Sequence, residues 1–272
     1  MSYKTILVHV APGQGDAPRV KVAAQLARDF DAELMGLCAE RFEPNIDRRL
    51  THLDGLQLRP VRERLDAAVA HAEAQFLKVA GGSRSLWRKA LKDPDDLMVD
   101  HANRADLIVA TRAVGRTEPR RFAETDDLIL ESGLPVLVLP PDQDAIDTRR
   151  VVLAWKNTPQ TRRAITAAMP FLIRAEVVEV VAVGDASEQP HIETELQDVA
   201  DRLRGHGASP ETVVIAPGLA SEAERLLEHA TLQKAGLIVA GGFGHARLRQ
   251  WVLGGVTSGF LAHAWKPVLF AH

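Results

Sequence analysis

Cysteine occurs once in the 272 residues, as Cys38 in the apolar run ELMGLCAE, so no internal disulfide holds the chain together. That usage fits a reducing compartment. An excess of one charge is missing too: the net charge of -3 gives no electrostatic case for nucleic acid or for a membrane surface. No run approaches the roughly 18 apolar residues of a membrane-spanning helix. MSYKTILVHV has no basic region followed by an apolar stretch of signal-peptide length, and the expected setting is cytoplasmic. Catalytic constellations are equally scarce. The His and acidic residues form no H-E-x-x-H cluster for a metal, and no G-x-S-x-G elbow presents a nucleophile, so neither catalytic nor metal-ligating residues are assigned.

What remains is an ordinary globular composition, 46% hydrophobic and 25% charged, at a length suited to one large or two ordinary domains. Lys4 to Val10 is a near-continuous apolar run of the kind a parallel sheet buries on both faces. Apolar residues at Val20, Ala23, Ala24 and Ala27 predict a helix over 19–30, and Glu33 to Ala39 a second strand. A long helical segment spans about 45–79, interrupted near Gly55 and Pro60. Strands follow at 83–90, 106–110 and 134–139, with helices at 94–103, where Asp93 is a fair N-cap, and at 124–132. Alternating strands and helices point to parallel sheets with helices on their faces.

After a linker at 140–148 the pattern starts again. Val151 opens a strand 145 positions after Ile6, the run LIVA recurs at Leu237, 130 positions after Leu107, and PVL recurs at Pro267, 132 positions after Pro135. Between them lie a helix at 162–172, a strand at 177–183, a helix at 191–204, a strand at 212–216 and a helix at 221–234. The chain therefore reads as two tandem flavodoxin-like or Rossmann-like α/β domains, 1–141 and 149–272, each with a five-stranded parallel sheet flanked by helices.

The second repeat carries GGFGHARLRQWVLGGVT, Gly241 to Thr257, between the strand GLIVA and a short helical pattern at 258–264. Strand, glycine loop and helix start together build an anion site, because bare backbone N–H groups and the helix dipole face the same way. No Gly-Lys-Ser/Thr follows, and Arg247 stands where a third dinucleotide-fold glycine belongs, so neither of those two mechanisms applies.

The spacing Gly241, two residues, Gly244, nine residues, Gly254, followed by Val256-Thr257 and KPVLF, resembles the ATP-binding signature of the universal stress proteins. The resemblance implies a tandem member of that family, with ATP or another adenine nucleotide, with or without Mg, wrapped by this loop. It places Gly241, Gly244, Gly254, Gly255, Val256 and Thr257 around ribose and phosphates, with Gly255 where the family usually has Ser or Thr. Val183 stands where the family contacts adenine through its backbone, and Lys156 where ATP-binding members commonly have Asp. Lys156 could meet a phosphate, pair with a carboxylate, or simply lie in solvent. His245 and Arg247 either face a phosphate or point to water.

In the first repeat the matching loop reads TRAVGRTEPRRFAETDD, with Thr111 and Val114 in place of Gly241 and Gly244. A degenerate first pocket and one nucleotide per chain are the expectation. The family implies a stress-response or regulatory role, an intramolecular pseudo-dimer of the two domains or a homodimer, and at most slow ATP hydrolysis. Two other readings stay open: a ligand-independent interaction protein with a degenerate site, and a slow adenine-nucleotide hydrolase.

Overall fold

In a computed structural model, residues 2–15, 17–39, 55–82, 84–112, 125–243 and 255–272 are described. They divide into two compact units: Tyr3–Ser132 with Pro141–Ala145, and Gly133–Pro140 with Ile146–His272.

The first unit contains β1 (Thr5–His9), α1 (Pro18–Phe30), β2 (Glu33–Ala39), α2 (Gly55–Ala80), β3 (Ser85–Ala90), α3 (Pro94–Ala102), β4 (Leu107–Thr111) and α4 (Thr125–Glu131). Its strands are parallel in the order β3-β2-β1-β4. Ile6, Leu7 and Val8 are fully buried, as a strand covered on both faces requires. Edge position explains β3, whose Arg88 and Lys89 are exposed. Asp93 caps α3 by accepting from Asp95 N at 3.1 Å. The expected break at Pro60 does not occur: α2 runs through it, while residues 45–54 of the expected segment lie outside the described residues. Phe76 is fully buried against Gly36, where an added Cβ would lie 2.7 Å from its ring.

The second unit contains β5 (Val136–Leu139), β6 (Arg150–Ala154), α5 (Pro159–Leu172), β7 (Val177–Val183), α6 (Gln189–Gly205), β8 (Pro210–Ile215), α7 (Glu222–Leu232), β9 (Leu237–Gly241), α8 (Val256–His263) and β10 (Val268–Ala271). Strand order is β5-β10-β9-β6-β7-β8. Strands β6 to β10 are mutually parallel, whereas β5 runs antiparallel to β10 with Val138 opposite Val268 and Val136 opposite Phe270. The expected α/β architecture of mostly parallel strands flanked by helices is present, and each repeat contributes five strands, β1 to β5 and β6 to β10. The first repeat's last strand lies beside the second repeat's last strand, covering an edge of unpaired backbone groups that would otherwise invite association.

At the amino ends of these strands Glu179 is buried in β7. His229 Nε2 on α7 lies 2.6 Å from its carboxylate and an Arg150 guanidinium nitrogen 3.5 Å away. A buried carboxylate needs such partners, and these fix α7 on the sheet. Among the described residues no helix is long and apolar enough to cross a membrane.

Candidate functional site

At the carboxyl ends of β6, β7 and β9 the second unit holds a cleft of about 760 Å³. Ala154, Val181, Val183, Leu226 and Phe243 give it apolar walls, and Lys156, Thr161, Glu222, Thr257 and Ser258 supply polar groups. Three helices begin at its rim. Thr158, Ser221 and Gly255, the N-caps of α5, α7 and α8, all line it.

The three starts differ in how their free N–H groups are met. Thr158 accepts from Thr161 N at 3.2 Å. Ser221 and Glu224 form a reciprocal capping box, with Glu224 N donating to Ser221 Oγ at 3.3 Å and Ser221 N to Glu224 Oε2 at 2.9 Å. Those bonds from the Ser221 backbone and hydroxyl hold the Glu224 carboxyl below its ordinary range. The N-cap of α8, Gly255, has no side chain with which to cap it. Its first N–H groups, which have no partner within the helix, open at the cleft behind a residue without a Cβ.

Of the residues singled out in the sequence, Val183, Gly241, Gly255, Val256, Thr257 and Lys156 line this cleft. Gly244, His245, Arg247 and Gly254 lie outside the described residues. Two of the glycines have causes the sequence did not disclose. A Cβ on Gly241 would sit 2.8 Å from Thr161 N and 3.1 Å from the Gln160 carbonyl carbon, so β9 needs glycine to pass the first turn of α5. Gly255 has φ +146°, where a side chain is strained, although nothing lies within 4 Å of the Cβ it would carry. Thr257 Oγ1 donates to Gly241 O at 3.2 Å and ties the start of α8 to the end of β9.

Lys156 pairs with a carboxylate: its Nζ lies 3.6 Å from Glu222 Oε2. The neighbouring side chains carry a network that the sequence reading missed. Glu195 on α6 accepts from Trp155 Nε1 at 3.1 Å and from Asn157 Nδ2 at 2.6 Å, and Asn157 Oδ1 accepts from Arg162 at 2.7 Å. Partial burial raises the Glu195 carboxyl, but the hydrogen bonds from Asn157 and Trp155 outweigh it and hold the group below its usual range. The network pins the short loop that forms one wall of the cleft. The Ser221-x-x-Glu224 cap was not singled out in the sequence, and nothing there placed it beside Thr158 and Gly255.

The end of β1 in the first unit is filled differently. His9 and Arg19 are both buried, with Arg19 Nε donating to His9 O at 2.6 Å. Burial, and then the Arg19 charge, push the His9 imidazole down to about 3. The β1–α1 loop lies on α2, with Gly13 N donating to Ala68 O at 3.1 Å and Gly15 N to Gln75 Oε1 at 3.2 Å. Thr111 closes β4, and the loop at 113–124, with Val114, Arg116, Arg120 and Arg121, lies outside the described residues. Among the described residues no group of three or more His, Cys, Asp or Glu is placed to hold a metal ion.

Comparison with known proteins gives two findings. Residues 148–272 match the model of the Universal stress protein family. The whole chain is similar in fold to a universal stress protein from Archaeoglobus fulgidus DSM 4304, at 12% identity over 98% of this chain and 97% of that one, with a TM-score of 0.70. It is also similar to a functionally unknown protein from Pseudomonas aeruginosa PAO1, at 16% identity over 99% and 92% of the two chains, with a TM-score of 0.63. At these identities the likeness is one of fold. No curated protein matches the chain.

Proposed function

The chain carries a universal stress protein family domain at residues 148–272, and on that premise we propose that this domain binds ATP or another adenine nucleotide in the cleft at the ends of β6, β7 and β9. In this reading the chain is a cytoplasmic stress-response regulator rather than an enzyme, with 149–272 as its nucleotide domain and 1–141 as a degenerate copy. One nucleotide per chain is expected.

One observation carries the reading: α8 begins at the cleft behind Gly255, an N-cap with no side chain to offer, while the N-cap residues Thr158 and Ser221 of the other two helices that start there accept from their own first turns. An anion is favoured where N–H groups and a helix dipole are left open. The backbone of Gly255, Val256 and Thr257 would hold phosphates, with Gly244 and Gly254 completing the loop and His245 and Arg247 available to it. Val183 and the apolar wall would take the base. The cleft's volume lies within the roughly 300–1,000 Å³ usual for small-ligand sites. Mg, where present, would be held mainly by the phosphates themselves.

The test is calorimetric titration of the full chain with ATP, repeated on Ala154→His, which narrows the cleft from the floor. Expected is saturable binding that weakens tenfold or more in the variant while its ligand-free unfolding temperature stays close to that of the parent. At a hundredfold excess over the dissociation constant, ATP should add about 2.7 kcal/mol of stability. No binding, or equal binding by both proteins, removes the cleft from consideration.

A further inference from the structure

The second unit has another cleft, of about 630 Å³, formed by Pro135, Pro159 and the side chains of Arg162, Arg163, Thr166 and Arg202. It shares no lining residue with the first. Helix α5 separates them, presenting Gln160 and Thr161 to one and Arg162, Arg163 and Thr166 to the other.

No aspartate or glutamate lines this second cleft. Among the described residues no salt bridge involves Arg162, Arg163 or Arg202. The partners seen are neutral: Arg202 donates to Thr166 Oγ1 at 3.0 Å and Arg162 to Asn157 Oδ1 at 2.7 Å. These bonds orient two guanidinium groups without cancelling their charge. Three like charges around one hollow repel one another, and a bound anion relieves that repulsion while matching the planar donor forks.

We propose that this cleft is a second anion site, separate from the nucleotide cleft, that takes a small multivalent oxyanion, with phosphate preferred to carboxylate. The preference follows from the donors. Arginine forks on two helices, with a threonine between them, can meet several oxygens of a phosphate chain at once, whereas a compact carboxylate presents fewer in any one direction. Because the guanidinium groups are exposed, the affinity should fall steeply with salt.

The experiment titrates the full chain with inorganic tripolyphosphate and, in a parallel arm, with citrate, at low and at high ionic strength. Arg163→Ala with Arg202→Ala should remove one tripolyphosphate-binding event or weaken it tenfold or more. Loss of two exposed charges from the first unit, Lys78→Ala with Arg104→Ala, should change it less than twofold. Arg162 is left in place because Asn157 and Glu195 connect it to Trp155 in the other cleft. Arg163→Gln with Arg202→Gln keeps a polar side chain with an N–H donor at each place while removing the charge, and should give the same loss. Tripolyphosphate binding that is absent from the parent protein, or that survives unchanged in both arginine variants, overturns the site. Citrate binding as tight as tripolyphosphate overturns the phosphate preference. None of these outcomes depends on whether ATP occupies the first cleft.

Discussion

Strands β1 and β6 correspond residue for residue, yet one ends in His9 and the other in Ala154. The helices that follow both open on proline, and their second residues are Arg19 in the first unit and Gln160 in the second. In the first unit an imidazole and a guanidinium are buried at the crevice, and residues 10–15, beyond β1, lie on α2 through Gly13 and Gly15. In the second unit a methyl group ends the strand, residues 155–158 make a short loop tied to Glu195, and a cleft of about 760 Å³ remains. The two units share a parallel-strand topology. Whether space is left at the strand ends depends on a few side chains there and on where the connecting loop goes.

The sharpest way to break this comparison is at Gly241, whose counterpart in the first unit is Thr111. Gly241→Ala drives a Cβ into backbone atoms of α5 that cannot rotate away, and roughly 3 kcal/mol of destabilisation is expected, the upper end of overpacking costs. Thermal unfolding should show a loss of several degrees, with or without nucleotide. An unchanged midpoint would mean that glycine is needed here for a ligand and not for packing.

A smaller effect is expected from pH. His9 in the first unit has a folded-state value pushed down to about 3, against about 6.5 when unfolded. Between those values the unfolded chain binds the extra proton, so stability rises with pH. The contribution is complete above about 6.5 and is lost as pH falls toward 3. Denaturant unfolding at pH 6 and pH 5 should show the parent losing about 1 kcal/mol more than His9→Gln over that interval. Equal losses would mean that the imidazole is not shielded as the geometry indicates.

Transplanting the first unit's side chains should close the second crevice. Ala154→His combined with Gln160→Arg is expected to weaken adenine-nucleotide binding by more than Ala154→His alone, past the tenfold that corresponds to about 1.4 kcal/mol. If the double variant binds like the parent, side-chain filling is not what distinguishes the two crevices.

Much of this architecture could be read from the sequence. Glu33–Ala39 and Val177–Val183 match their expected bounds because both are mostly apolar and buried almost throughout, Glu179 being the one charged residue inside the second. What escaped was information held between distant residues. Leu134 to Leu139 reads plainly as a strand, but its apolar pattern does not say that Val138 lies opposite Val268 in an antiparallel pair. Glu195 is one acidic residue on a largely solvated helix, and only folding brings it to Trp155, 40 positions away. Gly241 was legible as an unusual glycine, but the neighbour that requires it is Thr161 on another element. The helices that start at the cleft were each expected near their places, and the convergence of their starts at one rim is a property of the sheet's winding.

The smallest effect belongs to Lys156, whose counterpart in the first unit is the buried Ala11. Its Nζ is 3.6 Å from Glu222 Oε2, with side-chain exposures of 70% and 46%. A pair so open to water is worth at most about 1 kcal/mol, so Lys156→Ala should leave the ligand-free unfolding midpoint almost unmoved. Because the pair is weak, a phosphate entering the cleft can take the ammonium from Glu222 at little cost. Lys156→Ala should then weaken ATP a few-fold and leave adenosine unaffected, Glu222→Gln should strengthen ATP, and both differences should fade at high salt. Should adenosine weaken as much as ATP, Lys156 shapes the wall of the cleft through its aliphatic stem and takes no part in reading the ligand's charge.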